Sequence, residues 1–160
     1  HTSWLHRIIE SGSKPDDWLT YISYAEQRPH YSDQHSRYRY LFNMYNAALQ
    51  HISLDENKKN ITYAKLHIKF ALLQGDEDVE DGRMQFQFAR ANLRTIALIH
   101  IAAAQYELDH GNLAKSRSIL RKAKEVEAEP RDLLNKAMQK LLTGDKELYS
   151  LEQCGIKQGI

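Results

Sequence analysis

Cysteine is almost missing from this sequence: the one thiol, Cys154, lies close to the end of 160 residues. A disulfide framework is therefore excluded, and an intracellular setting is expected rather than a secreted one. Proline occurs three times, at 15, 29 and 130, which leaves long stretches free to be helical. No apolar run approaches the roughly 20 residues of a membrane-spanning helix, and no signal-peptide pattern opens the chain. An excess of one charge is missing too. Lysine and arginine number 22 against 21 acids, a formal net charge of +1 with a pI near 8.0. That balance argues for neither a nucleic-acid nor a membrane partner. Glycine-rich phosphate loops, nucleophile elbows and zinc-helix signatures do not occur, so no cofactor, metal or catalytic residue is expected. What is present is an ordinary globular mixture, 42% hydrophobic and 27% charged, sufficient for one domain. A start at His1 and an end at Gly159-Ile160 are expected to be cut ends of a longer protein.

Apolar residues recur at helical spacing almost throughout, and period-2 alternation is absent. Trp4, Leu5, Ile8 and Ile9 predict a short amphipathic helix ended by Ser11-Gly12-Ser13. Pro15-Asp16-Asp17 reads as a helix start that runs until Pro29. A second helix is expected from Asp33 to His51, with Tyr38, Leu41, Phe42, Tyr45, Ala48 and Leu49 on its apolar side. Ser53 to Lys59 reads as a polar loop. Asn60 predicts the cap of a helix ending near Gly75, Asp76 to Asp81 an acidic connector, and Gly82 to Asn92 the next helix. Thr95 is expected to cap a helix from Ile96 to Leu108 that is apolar nearly all round and so buried on several sides. Asn112 is expected to cap the helix whose buried face is Leu113, Ile119, Leu120 and Ala123. Pro130 opens a further helix with Leu133, Leu134, Ala137, Met138, Leu141 and Leu142. Gly144 ends it, and a last short helix is expected to reach about Gln153.

Internal repetition makes pairs of these helices. Met84, Phe88 and Ala91 match Ser116, Leu120 and Ala123, each 32 positions on, and Leu41, Tyr45 and Ala48 precede the middle set by 43. Tetratricopeptide repeats have a period of about 34. The expected fold is all-α: antiparallel helix pairs stacked as about three tetratricopeptide-like repeats over 14–130. Capping helices are expected at 1–13 and 131–153, with a flexible tail at 154–160. The last helix, through Leu141 and Leu142, could instead meet a second copy of the chain.

Candidate sites are few. Glu107-x-x-His110 has a spacing known from helical di-iron proteins, but such sites need a second copy, and none occurs. Asn60-Ile61-Thr62 matches a glycosylation acceptor and is better read as a helix cap. Arg117, Arg121, Lys122 and Lys124 read as a solvated face rather than a nucleic-acid surface. Asp76 to Asp81 could attract a basic partner. With Gly111 and Gly75 taken as equivalent turns, one face carries Leu98, Ile101, Gln105 and Leu108, and its counterpart carries Thr62, Lys65, Lys69 and Leu72. Lys65, Lys69, Leu98, Ile101 and Gln105 are thus expected to line a groove for an acidic peptide or helix with one hydrophobic anchor. The alternative is that the apolar helix packs against the C-terminal helix and no groove is open.

Phe88-Ala-Arg-Ala-Asn92, Ala104-Gln-Tyr-Glu-Leu108 and Gly111-Asn112 followed by a basic helix resemble the N-terminal tetratricopeptide region of the monopolar spindle kinases. These are the dual-specificity kinases of the spindle assembly checkpoint. Pro15-Asp-Asp-Trp-Leu19 and Tyr63-Ala-Lys-Leu-His-Ile-Lys-Phe70 are similar to that region as well, so the resemblance covers roughly Asp16 to Pro130. Trp18, Tyr21, Ile22, Tyr24, Glu26 and Ala128-Glu-Pro130 also resemble the related budding-uninhibited checkpoint proteins, which would bind a kinetochore scaffold peptide. The longest run, Phe88 to Ala123, follows the first family. That resemblance implies a non-catalytic module of a mitotic kinase. It would act in the nucleus, at kinetochores and the spindle, through the outer microtubule-binding complex, and could contribute to a homodimer. No nucleic acid and no membrane partner is implied. A helical enzyme or nucleic-acid binder without recognisable motifs is the alternative of a different class.

Overall fold

The computed structural model of the chain describes residues 2–150. Among them are nine helices: α1 (Thr2–Glu10), α2 (Pro15–Glu26), α3 (Gln34–His51), α4 (Leu54–Asn57), α5 (Ile61–Glu77), α6 (Val79–Asn92), α7 (Ala97–Asp109), α8 (Leu113–Glu125) and α9 (Arg131–Leu142). Helix α2 packs on α3, α5 on α6 and α7 on α8, α5 also meets α2, α3 and α7, and α9 closes on α7 and α8. The result is an all-α stack of tetratricopeptide-like helix pairs. No helix among the described residues is long and apolar enough to cross a membrane.

Local chemistry sets most boundaries. Asp33 and Asn60 accept hydrogen bonds from Ser36 N (2.7 Å) and Tyr63 N (2.8 Å), capping α3 and α5. Pro15 stands at the first position of α2, with Asp16 and Asp17 in its first turn. Gly111 and Gly144 adopt positive φ and end α7 and α9.

Elsewhere the structure departs from the sequence expectations. The polar loop after Ser53 contains the single turn α4, because Ser53 Oγ accepts from Glu56 N at 3.3 Å. Gly75 ends nothing. It lies inside α5, and the expected acidic connector shrinks to Asp78, which closes α5 and caps α6 through Glu80 N (2.9 Å) and Asp81 N (3.2 Å). Thr95 does not cap α7. Thr95 lies in the turn after α6, and Ile96 is extended and bridges to Glu129: Glu129 N donates to Thr95 O (2.8 Å) and Ala97 N to Glu129 O (2.7 Å). Asn112 precedes α8 but turns its side chain back to Glu107. Residues 145–150 are not helical; Leu148 and Tyr149 are buried there. Gln153 and the 154–160 tail with Cys154 lie outside the described residues.

The largest correction concerns the repeat. On α6, Met84 and Phe88 are exposed (65% and 56%) and Ala91 is exposed as well. The buried face is Gly82, Phe86 and Ala89. These three match the buried Ser116, Leu120 and Ala123 of α8, each 34 positions on (82 to 116, 86 to 120, 89 to 123). That is the tetratricopeptide period itself. The equivalent set on α3, Leu41, Tyr45 and Ala48, is also buried.

Candidate functional site

The groove expected from the sequence is filled. Leu98 and Ile101 are buried, at 3% and 0% exposure. Gln105 is engaged by the chain itself: its amide donates to Lys146 O (2.8 Å) and Asp109 Oδ1 (2.8 Å), and its carbonyl accepts from Leu148 N (2.7 Å). Lys69 is committed to Glu26 at 2.7 Å, and Tyr45 donates to the other oxygen of the same carboxylate at 2.7 Å. Lys65 is half-buried. The five residues therefore do not meet on one open face. The alignment that joined them took Gly75 for a turn, and Gly75 is helical.

Polar residues in the interior act as clasps between helix pairs. Glu26, Lys69 and Tyr45 join α2, α5 and α3. Glu107 on α7 accepts from Arg83 of α6 through both oxygens (2.6 and 2.9 Å) and from Asn112 before α8 (2.9 Å). Burial pushes the Glu107 carboxyl up, but the bonds from Arg83 and Asn112 and the charge of Lys115 more than offset this and hold it below the usual range. His110 Nδ1 donates to Tyr106 O at 2.6 Å. Both members of the Glu-x-x-His pair are thus engaged in protein contacts, and no cluster of metal-ligating side chains occurs among the described residues.

His67 is different. It is buried on α5 with neither ring nitrogen hydrogen-bonded, in edge contact with Tyr63 (4.8 Å between ring centroids) and beside Phe88. Burial lowers its pKa from 6.5 to about 4. A depressed value means that stability is full above pH 6.5 and is lost as pH falls toward 4, because the unfolded chain takes up the proton first. His67 is expected to cost the fold about 2 kcal/mol between pH 7.5 and pH 5. Urea unfolding of His67→Phe at both pH values checks this: the difference between them should shrink by that amount, and an unchanged difference refutes it.

The connectors between helix pairs lie together at one end of the stack. Residues 53–60, 92–96 and 126–131 form a furrow there, made of two hollows of about 740 and 360 Å³ that share Lys59 and Thr95. Its walls are fixed. The 95–97 segment is bonded to Glu129. His100 braces the turn before α7: Arg90 Nε donates to Nδ1 (3.2 Å), so Nε2 carries the proton and donates to Arg94 O (2.6 Å). Ile61 and Val126 reach the furrow 43% and 41% exposed. Lys58, Lys59, Arg94 and Arg131 line it, opposed by Glu127 and Glu129.

No known protein-family profile matches the chain. Over 151 residues it is 34% identical to the dual specificity protein kinase Ttk of Danio rerio, and over 154 residues 32% identical to the dual specificity protein kinase TTK of Mus musculus. The chain is similar to the Ttk dual-specificity kinases. These alignments take in 94% and 95% of this chain but 15% and 18% of the two relatives. The chain therefore spans less than a fifth of the Ttk proteins it matches. The likeness to Ttk agrees with the resemblance carried by Phe88–Asn92 and Ala104–Leu108.

Proposed function

We propose that this chain is a non-catalytic protein-interaction module of a mitotic checkpoint kinase, one that helps to place its parent at kinetochores and aids self-association. The observation that carries this reading is likeness to Ttk kinases over nearly the whole chain and under a fifth of those proteins. A stack of helix pairs supports it, because such stacks present extended surfaces, and the sequence holds no kinase motif. The module works inside the cell, at the kinetochore and spindle, through the outer microtubule-binding complex rather than through nucleic acid or membrane.

The test is binding of the folded chain to purified outer kinetochore complex, with duplex DNA as the control. Binding to the complex alone is expected. Failure of a well-folded sample to bind would sink the reading. Self-association has a separate test. Of the two leucines expected to mediate it, Leu141 is buried in the core and Leu142 is 74% exposed, so only Leu142 is open to a second copy. Leu142→Asp is expected to change stability by less than about 0.5 kcal/mol and to lower the dimer fraction in native mass measurements. A wild-type chain that stays monomeric at high concentration would remove self-association.

A further inference from the structure

We infer that the furrow between the inter-pair connectors is a docking site for an acidic, extended segment of a partner protein that carries one apolar side chain. The inference rests on the reading of the chain as an interaction module and names the chemistry of what it binds.

Three observations meet here. The first is unpartnered charge. Lys59 and Arg94 line the furrow, are exposed, and have no acidic partner among the described residues. Lys58 and Arg131 reach only exposed acids of their own neighbourhood, Asp55 at 3.7 Å and Glu127 at 4.0 Å. Such surface pairs are weak and exchange readily for an incoming carboxylate. The second is apolar surface. Ile61 and Val126 are large side chains left about two-fifths exposed in the wider hollow, where one apolar side chain would bury both. The third is shape. Two adjoining hollows that share Lys59 and Thr95 suit an extended segment, and walls held by the 95–97 to Glu129 bridge and by His100 need little ordering on binding. Charge also sets the direction. The end with Lys58, Lys59 and Arg94 has no acid in its lining, whereas the Val126 end carries Glu127 and Glu129. The segment's acids therefore lie toward Lys59 and Arg94, and its apolar residue toward Ile61 and Val126.

The probe is a labelled peptide of about eight residues, aspartate and glutamate around one central leucine, followed by fluorescence anisotropy with the full chain. Saturable binding that weakens with salt is expected. Lys59→Glu with Arg94→Glu should weaken it at least tenfold, and an alanine in place of the peptide's leucine several-fold. Arg39→Glu, a single charge reversal of the same kind on the exposed side of α3, should leave it unchanged. All these positions are exposed, so thermal melts should coincide. Absence of binding, equal binding by the double variant, or equal binding of a lysine-for-acid peptide overturns the inference. Loss of self-association in the double variant, with peptide binding intact, would make the furrow a contact between copies and also overturn it. The outer kinetochore complex separates the two levels. If wild type and double variant both bind it equally, the furrow falls and the module stands. If wild type fails to bind it, the module reading falls whatever the peptide does.

Discussion

Glu107→Ala is expected to cost about 3–5 kcal/mol in urea unfolding, the range for removing one partner of a buried ion pair. The carboxylate is 4% exposed and receives both arms of Arg83. Removing it leaves the Arg83 guanidinium, itself 13% exposed, without its partner on α7, and frees the Asn112 side chain that ties the start of α8. The loss should lower the thermal midpoint by about 10 °C for a chain of this size. Arg83→Met added to Glu107→Ala should recover part of it, because an apolar pair leaves no buried charge behind. The pH dependence has a definite sign. The folded carboxyl is held below its ordinary value, so its contribution is full above about pH 4.5 and is lost as pH falls through the lower folded value. Stability lost between pH 7.5 and pH 5 thus belongs to His67, with a smaller term of the same sign from His100, whose pKa burial also lowers. A loss below about 1 kcal/mol for Glu107→Ala would show that the pair is solvated.

Helix positions were legible in the sequence because their determinants are local. Asp33, Asn60 and Pro15 act within one turn of where they stand. The register of α6 was not. Phe86 and Phe88 occupy both candidate faces, so periodicity alone supports either, and the small residue that decides the matter is a glycine that reads more naturally as a helix boundary. The same ambiguity made Gly75 a false terminator and moved the expected groove. Lys69 looked like a groove cation because its partner, Glu26, lies 43 positions earlier, and no short-range pattern reports such a pair. The furrow was out of reach for a like reason: its walls come from three connectors far apart in sequence that only the stacking of helix pairs brings together.

Gly82→Ala is expected to destabilise the chain by about 2 kcal/mol, although alanine is the better helix former by about 1 kcal/mol. A methyl at Gly82 would lie 2.5 Å from Tyr106 Oη, 2.7 Å from Gly75 Cα and 3.0 Å from Gly75 N. Two of those atoms are backbone of the facing helix and cannot turn aside, so the crossing of α5 and α6 must open, and overpacking of this kind typically costs about 1–3 kcal/mol. Gly75→Ala should cost less, because all three of its close neighbours, from 2.7 to 3.1 Å, belong to the Tyr106 side chain. Tyr106→Phe separates the contributions. Alone it should lose about 1 kcal/mol with the 2.8 Å bond to Val79 O. Combined with Gly82→Ala it should recover only part of the loss, since the Gly75 backbone still stands in the way. A net gain in stability from Gly82→Ala would refute the close crossing. The consequence reaches the furrow. Helix α5 begins at Ile61 and α6 ends at Asn92, both in its lining, so a shifted crossing moves one wall against the other. Gly82→Ala should therefore weaken acidic-peptide binding as well as the fold, although the substituted residue lies outside the furrow.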